Sequence, residues 1–261
     1  MVDVSNSKLI SNMKRSVYLI ILASIALLAT ACEPDDFDLG PATKPDYRVK
    51  SFDGYSFAYN ENGTIASVTL LGVRQDFTWN DKTLLIGKGD AAEYTLTLNK
   101  QGYATKIETS QHTWTIDYDK SGFLTKGSLD GVQVTGQTVS SSNITCWTSY
   151  DRLKLDWRKN EATYLPKVNV GWIRTHWAEA LGLERWMFEA GFLGRASANL
   201  VESSCWRDTE GALDTNTSVY DYEYDVNGCV TKELRYYGKW NEFDVEGLSL
   251  KESHTFTWEK N

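Results

Sequence analysis

A phrase of about twenty residues returns along this chain. FAYNENGTIASV spans Phe57 to Val68, FTWNDKTLLIGK spans Phe77 to Lys88, LTLNKQGYATKI spans Leu96 to Ile107 and IDYDKSGFLTKG spans Ile116 to Gly127. Much later, YEYDVNGCVTKE runs from Tyr222 to Glu233. The residues that open the turn are Asn60, Asn80, Asn99 and Asp119, so the steps are 20, 19 and 20. A fixed period of this length makes each unit one supersecondary element that buries its apolar face against its neighbours.

The chemistry of the phrase is that of a β-hairpin. Alternating aromatic or aliphatic residues lead in and mark one face of a strand. Asn or Asp opens the turn, because its side chain accepts a backbone N–H two residues on. Glycine follows three places later, at Gly63, Gly102, Gly122 and Gly228. There it supplies the left-handed conformation that closes a type I turn with a bulge. Thr83 stands where the second unit should have glycine, so that turn is of another type. Successive hairpins predict an antiparallel meander, mainly β, with a repeat-built sheet.

The pattern Y-D-x-x-G-x-L-T, present as Tyr118 to Thr125 and with Val in place of Leu as Tyr224 to Thr231, resembles the YD repeat of RHS-type proteins. Together with the leader described below, and with Phe192 to Leu200, it is similar to a domain-of-unknown-function family of Bacteroides-type lipoproteins. The resemblance covers most of residues 47–261 and implies architecture, not activity.

Residues 159–206 interrupt the repeat. Tyr164-Leu165-Pro166 ends one strand-like stretch and Val168-Asn169-Val170 begins another. Thr175 is placed to cap a short helix carrying Trp177, Leu181 and Phe188 on one face. Gly182 and Gly191 keep any helix here short. Trp172, Trp177 and Trp186 are expected to bury one face of the sheet, since large aromatics dominate burial where a helix covers strands.

The N-terminus supplies an address. Lys14 and Arg15 precede an apolar run from Ser16 to Ala31, which ends in Ala29-Thr30-Ala31-Cys32. This is the order of a secretory signal peptide, and the run is too short to span a bilayer. The box before Cys32 resembles that of a bacterial lipoprotein, in which Cys32 is lipidated and anchors the chain in a membrane. Residues 1–31 are therefore read as a cleaved signal, 32–46 as an acidic tether and 47–261 as one domain. Glu33 to Asp38 resembles the export tag that sends such lipoproteins to the cell surface; a periplasm-facing position is the alternative.

Residues 1–31 carry a net charge of +2 from Lys8, Lys14, Arg15 and Asp3, so the remainder moves from −8 to −10. That argues against nucleic acid as a partner. Of four cysteines, Cys146, Cys205 and Cys229 remain, which allows one disulfide of undetermined pairing in an oxidising envelope. His112, His176 and His254 are scattered without metal or catalytic spacing, and no nucleophile elbow, P-loop or dinucleotide fingerprint is present. Asp117-x-Asp119-x-Ser121-Gly122 imitates a calcium loop, but its twelfth position is Ser128 rather than glutamate, and the hairpin turn alone explains it. No metal or other cofactor is expected.

The positive signal for binding is the aromatic surplus, ten Trp and fourteen Tyr. Trp79, Trp114, Trp147 and Trp240 lie in strand-like stretches, where they either pair across strands or stack on a ligand. The sequence thus points to a non-catalytic lipoprotein scaffold that binds a protein or glycan partner. A glycan-binding module is the first alternative and an envelope hydrolase the second.

Overall fold

A computed structural model describes residues 45–88, 91–151, 156–174, 180–207, 213–239 and 248–261. The signal, Cys32 and the acidic stretch after it, with Thr175, His176, Trp177 and Trp240, lie outside the described residues. Strands β1 (Tyr47–Phe52), β2 (Tyr55–Tyr59), β3 (Ile65–Leu70), β4 (Val73–Asn80), β5 (Thr83–Lys88) and β6 (Ala91–Leu98) follow one another as hairpins. The pattern continues through β7 (Ala104–Glu108), β8 (Thr113–Tyr118), β9 (Leu124–Leu129), β10 (Val132–Ser140), β11 (Asn143–Asp151) and β12 (Asp156–Val168). After an insertion come β13 (Asn199–Arg207), β14 (Leu213–Tyr224), β15 (Val230–Lys239) and β16 (Ser249–Lys260).

Every neighbouring pair is antiparallel, as the repeat predicts, but the sheet is not an open meander. β1 pairs with β16, Phe52 opposite Phe256 and Tyr47 opposite Lys260, and sixteen strands close into a barrel. Closure has a physical reason: a twisted sheet this wide curls, and pairing its first and last strands removes both exposed edges. The hairpin chemistry is local, so it specifies each turn but not the ring.

At the turns the side chains do what their spacing requires. Asp119 Oδ1 accepts the Phe123 N–H at 2.9 Å, and Asp225 Oδ1 accepts those of Asn227 and Cys229 at 2.8 and 2.9 Å. Gly63, Gly102, Gly122 and Gly228 have φ of +81°, +86°, +86° and +81°. The Thr83 departure is a shorter turn: Asn80 pairs directly with Thr83, and Asp81 takes the left-handed conformation at φ +49°. Replacing Gly122 with Ala should lower stability by about 1 kcal/mol through the backbone alone. The added Cβ would also sit 2.6 Å from Tyr103 Cε2, so the ring must move as well. An unchanged urea midpoint would remove the hairpin assignment.

A sixteen-stranded wall encloses more space than its own side chains fill. The filling comes from the insertion, which spans residues 169–198 rather than 159–206, because β12 runs on through Pro166 to Val168 and β13 starts at Asn199. Its two ends meet where Asn169 N–H donates to Ala198 O and the Asn169 side chain binds Ile173 and Ser197. Among its described residues the α-helix is a short one, Arg185–Glu189, lying between Gly182 and Gly191. Leu181 precedes that helix yet is buried, as are Trp186, Met187, Phe188, Phe192 and Leu193. Trp114 Nε1 donates to Leu181 O at 3.0 Å, and Trp186 lies 5.6 Å from the Phe77 ring, so the insertion reaches the inner wall.

The returning segment docks on the repeat turns. Ala104 N–H donates to Phe192 O, Arg195 N–H to Gly122 O, and Ala198 N–H to Ser142 O. Gly194, at φ +93°, lies so close that a Cβ would be 2.9 Å from Tyr118 and 3.0 Å from the Gly122 carbonyl. The stretch Phe192 to Leu200 is thus the seam between plug and barrel.

Candidate functional site in the barrel interior

Directly opposed residues of antiparallel strands share a face, so the register sorts inside from outside. The outward set is polar: Asp117 opposes Lys126, Thr97 opposes Lys106, and Thr95 opposes Glu108. Ion pairs run along this outer wall, among them Lys106–Glu108 at 2.7 Å, Lys159–Glu161 at 2.9 Å and Lys232–Glu223 at 3.1 Å. The inward set of β2 to β9 is apolar, with Phe57, Val68, Phe77, Ile86, Leu96, Ile107 and Ile116 all buried. A membrane barrel carries the opposite arrangement, an apolar band facing lipid.

From β12 to β16 buried polar side chains, among them Asn160, Glu233 and His254, join the apolar ones on the inner face. On that side the plug's Arg185 stands at the centre of an ionic cluster. Its Nη1 lies 3.0 Å from His254 Nε2, its Nη2 lies 3.9 Å from Glu233 Oε1, and its guanidinium stacks over the Phe52 ring at 5.1 Å. His254 Nδ1 lies 2.6 Å from Asp53 Oδ2, and an imidazole with its proton on Nδ1 satisfies both contacts. Arg235 Nη1 donates to Glu252 Oε2 at 3.0 Å, and His254 Nε2 lies 3.5 Å from the same oxygen. The strands bring these groups together by register: Glu233 opposes His254, and Arg235 opposes Glu252.

The electrostatics follow from burial and pairing. Burial pushes the Asp53 carboxyl up, but His254, the Thr255 N–H and Arg185 bring it below the ordinary carboxylate value. Glu252 behaves likewise, held down by Arg235 and His254. Glu189, on the plug, is pushed up to about 7 by burial, against the pull of Arg185 and Arg174 and with help from Glu233. Arg174, also buried, gives its backbone N–H to both Glu189 oxygens and its Nε to Gly194 O. Such a network locks plug to wall; the atoms of its one histidine are engaged by carboxylates and a guanidinium.

Of the tryptophans read as strand-pairing or ligand-stacking groups, the three described ones pack within the protein. Trp79 is half-buried, donates Nε1 to Ile65 O at 2.7 Å and packs on Phe192. Trp114 and Trp147 are buried in the barrel core. Closure is the reason: the aromatic face of each hairpin becomes the inside of a ring. Cys146, Cys205 and Cys229 form no disulfide. Cys146 and Cys205 flank Glu161 from the two neighbouring strands, which puts them about 10 Å apart and beyond bridging distance. The ionic cluster escaped sequence reasoning, because Asp53, Arg185, Glu233 and His254 are far apart in the chain and carry no spacing signature.

No family model matches the chain, and no curated protein is similar to it. Among solved structures it is similar to a porin-like protein from Bacteroides uniformis ATCC 8492, with a TM-score of 0.60 and 18% identity over 84% of this chain and 99% of that one. It is also similar to a porin-like protein from Bacteroides vulgatus ATCC 8482, with a TM-score of 0.50 and 11% identity over 80% of this chain and 98% of that one. At these identities the likeness is one of fold.

Proposed function

We propose that this protein is a non-catalytic binding barrel of the bacterial outer envelope, tethered to the outer membrane by lipid on Cys32, and not a pore. The observation that carries the reading is the inverted wall of β2 to β9: charged and hydroxyl side chains such as Lys106, Glu108 and Lys126 face outward, while the apolar side chains face a lumen filled by the plug. Charged side chains on a lipid-facing surface are destabilising, whereas a water-exposed barrel tolerates them freely. A lumen occupied by Trp186, Phe188 and Phe192 conducts nothing. The porin-like fold of the two Bacteroides proteins supports an outer-membrane setting, and the stretch after Cys32 supports the cell surface.

Residues 33–261, purified without detergent, are expected to stay monodisperse and to give no conductance steps in a planar lipid bilayer. A requirement for detergent together with discrete channel openings would overturn the reading.

A further inference from the structure

Beside the ionic cluster lies a second polar stretch of inner wall that the plug contacts do not explain. In the strand register Gln137 of β10 opposes Trp147 of β11, Trp147 opposes Asn160 of β12, and Asn160 opposes Trp206 of β13. These four residues form one rung across four strands. Trp147 belongs to the barrel core, and Asn160 is two residues from Ala162, which packs against that core, so the rung faces inward. Arg158, two residues before Asn160 on β12, holds its guanidinium 5.9 Å from the centre of the Trp206 ring.

Asn160 is only 1% exposed, yet neither its carboxamide nitrogen nor its oxygen has a hydrogen-bond partner. The carboxamide oxygen of Gln137 is equally buried and equally unpartnered. Buried polar atoms are nearly always paired, because stripping water from them without a replacement is costly. An apolar residue at position 160 would suit the neighbouring core better. Carboxamides at these positions supply a donor and acceptors suited to a polar ligand.

We propose that the rung Gln137–Trp147–Asn160–Trp206 is a subsite for a neutral, polyhydroxylated ligand, one sugar residue of a glycan. Adjacent strands are about 4.8 Å apart, which sets the two carboxamides on either side of an indole, about 10 Å from each other. A carboxamide offers donor and acceptor together and so matches a pair of neighbouring sugar hydroxyls. An indole offers a flat apolar face with a polar edge, suited to the C–H face of the same ring. The four residues of the rung are uncharged and suit a neutral sugar, and the guanidinium beside them, that of Arg158, lies over the Trp206 ring. Gln137 and Trp206, at its two ends, are half-buried rather than buried. The assignment rests on the binding-barrel reading and adds the ligand class to it.

The test uses residues 33–261 and four neutral probes, the hexasaccharides of β-glucan, xylan, mannan and α-glucan, read by tryptophan fluorescence and calorimetry. One of them is expected to bind saturably and independently of salt, with affinity falling about tenfold or more in Asn160→Leu and in Gln137→Ala. The same Asn160→Leu variant is expected to melt at the wild-type temperature or a few degrees above it, because it removes buried atoms that have no partner. Loss of binding with retained or raised stability is the mark of a group kept for a ligand. A fall in melting temperature would mean that the carboxamide is satisfied within the protein, and would overturn the assignment. Silence with all four sugars, or unchanged affinity in both variants, would overturn it too. Conductance steps would instead remove the binding-barrel reading, so the two failures are distinguishable.

Discussion

Trp186→Ala should lower the stability of the barrel by about 3–5 kcal/mol, the range for removing a fully buried aromatic. For a domain of this size that corresponds to a fall in melting temperature of roughly 6–20 °C. The reason is the position of the side chain: Trp186 is 2% exposed, on the plug, with Phe77 of β4 at 5.6 Å. Phe192, from the same plug, packs on Phe77 from 6.0 Å, so truncating the indole opens a void against a ring that another contact already holds in place. The surroundings therefore have little room to collapse. Lys126→Ala, on the outer wall opposite Asp117, is the control and should stay within about 0.5 kcal/mol. Thermal melts followed by near-ultraviolet circular dichroism decide the matter. A Trp186→Ala melt within a degree or two of wild type would mean that the wall stands without its filling, and that the plug is not part of the core.

The second large effect is a dependence of stability on pH that peaks on the acid side. The Glu189 carboxyl, pushed up to about 7 by burial, takes up a proton in the folded protein at pH values where the unfolded chain, with an ordinary value of 4.5, has released it. A folded state that binds more protons is favoured by acid, so stability falls as pH rises between those two values and levels off above them. The full swing from this one group is about 3 kcal/mol. Asp53 and Glu252 act in the opposite sense, because their folded values lie below the ordinary 3.8 and 4.5. Their contribution is present above those ordinary values and is lost as pH falls further. The maximum should therefore sit at about pH 5. Urea midpoints measured from pH 4.5 to 8 should decline for the wild type. In Glu189→Gln, which keeps an oxygen for the Arg174 N–H, the profile should be nearly flat. A variant that keeps the wild-type slope would show that another group titrates.

Much of the fold was legible because hairpin chemistry is local. The positions of Asn99, Asp119 and Asp225, each followed three residues later by glycine, are enough to place three turns and the strands that flank them. Even the exception at Thr83 was visible as an exception, though only the pairing of Asn80 with Thr83 identifies it as a tight two-residue turn. The inner wall was half legible: aromatic and aliphatic alternation marked Phe77, Leu96 and Ile116 as one face, but not which way that face would point.

Three things lay beyond the chain read by itself. Pairing of Phe52 with Phe256 joins residues some two hundred positions apart, and nothing in either hairpin encodes the partner. The insertion reads as a cover for a sheet, yet ring closure makes it the filling of a lumen, which is why Trp114 and Trp147 end in the core. The ionic cluster around Arg185 exists only once Asp53, beside β1, meets β15 and β16, and the carboxamides of Gln137 and Asn160 align only once β10, β11 and β12 pair in register. The sequence by itself determined where the chain turns and which side chains alternate, since both depend on residues a few places apart. Closure, the plug and every candidate binding group were decided by tertiary structure, because those contacts arise from strand order and register around the ring, which no local spacing specifies.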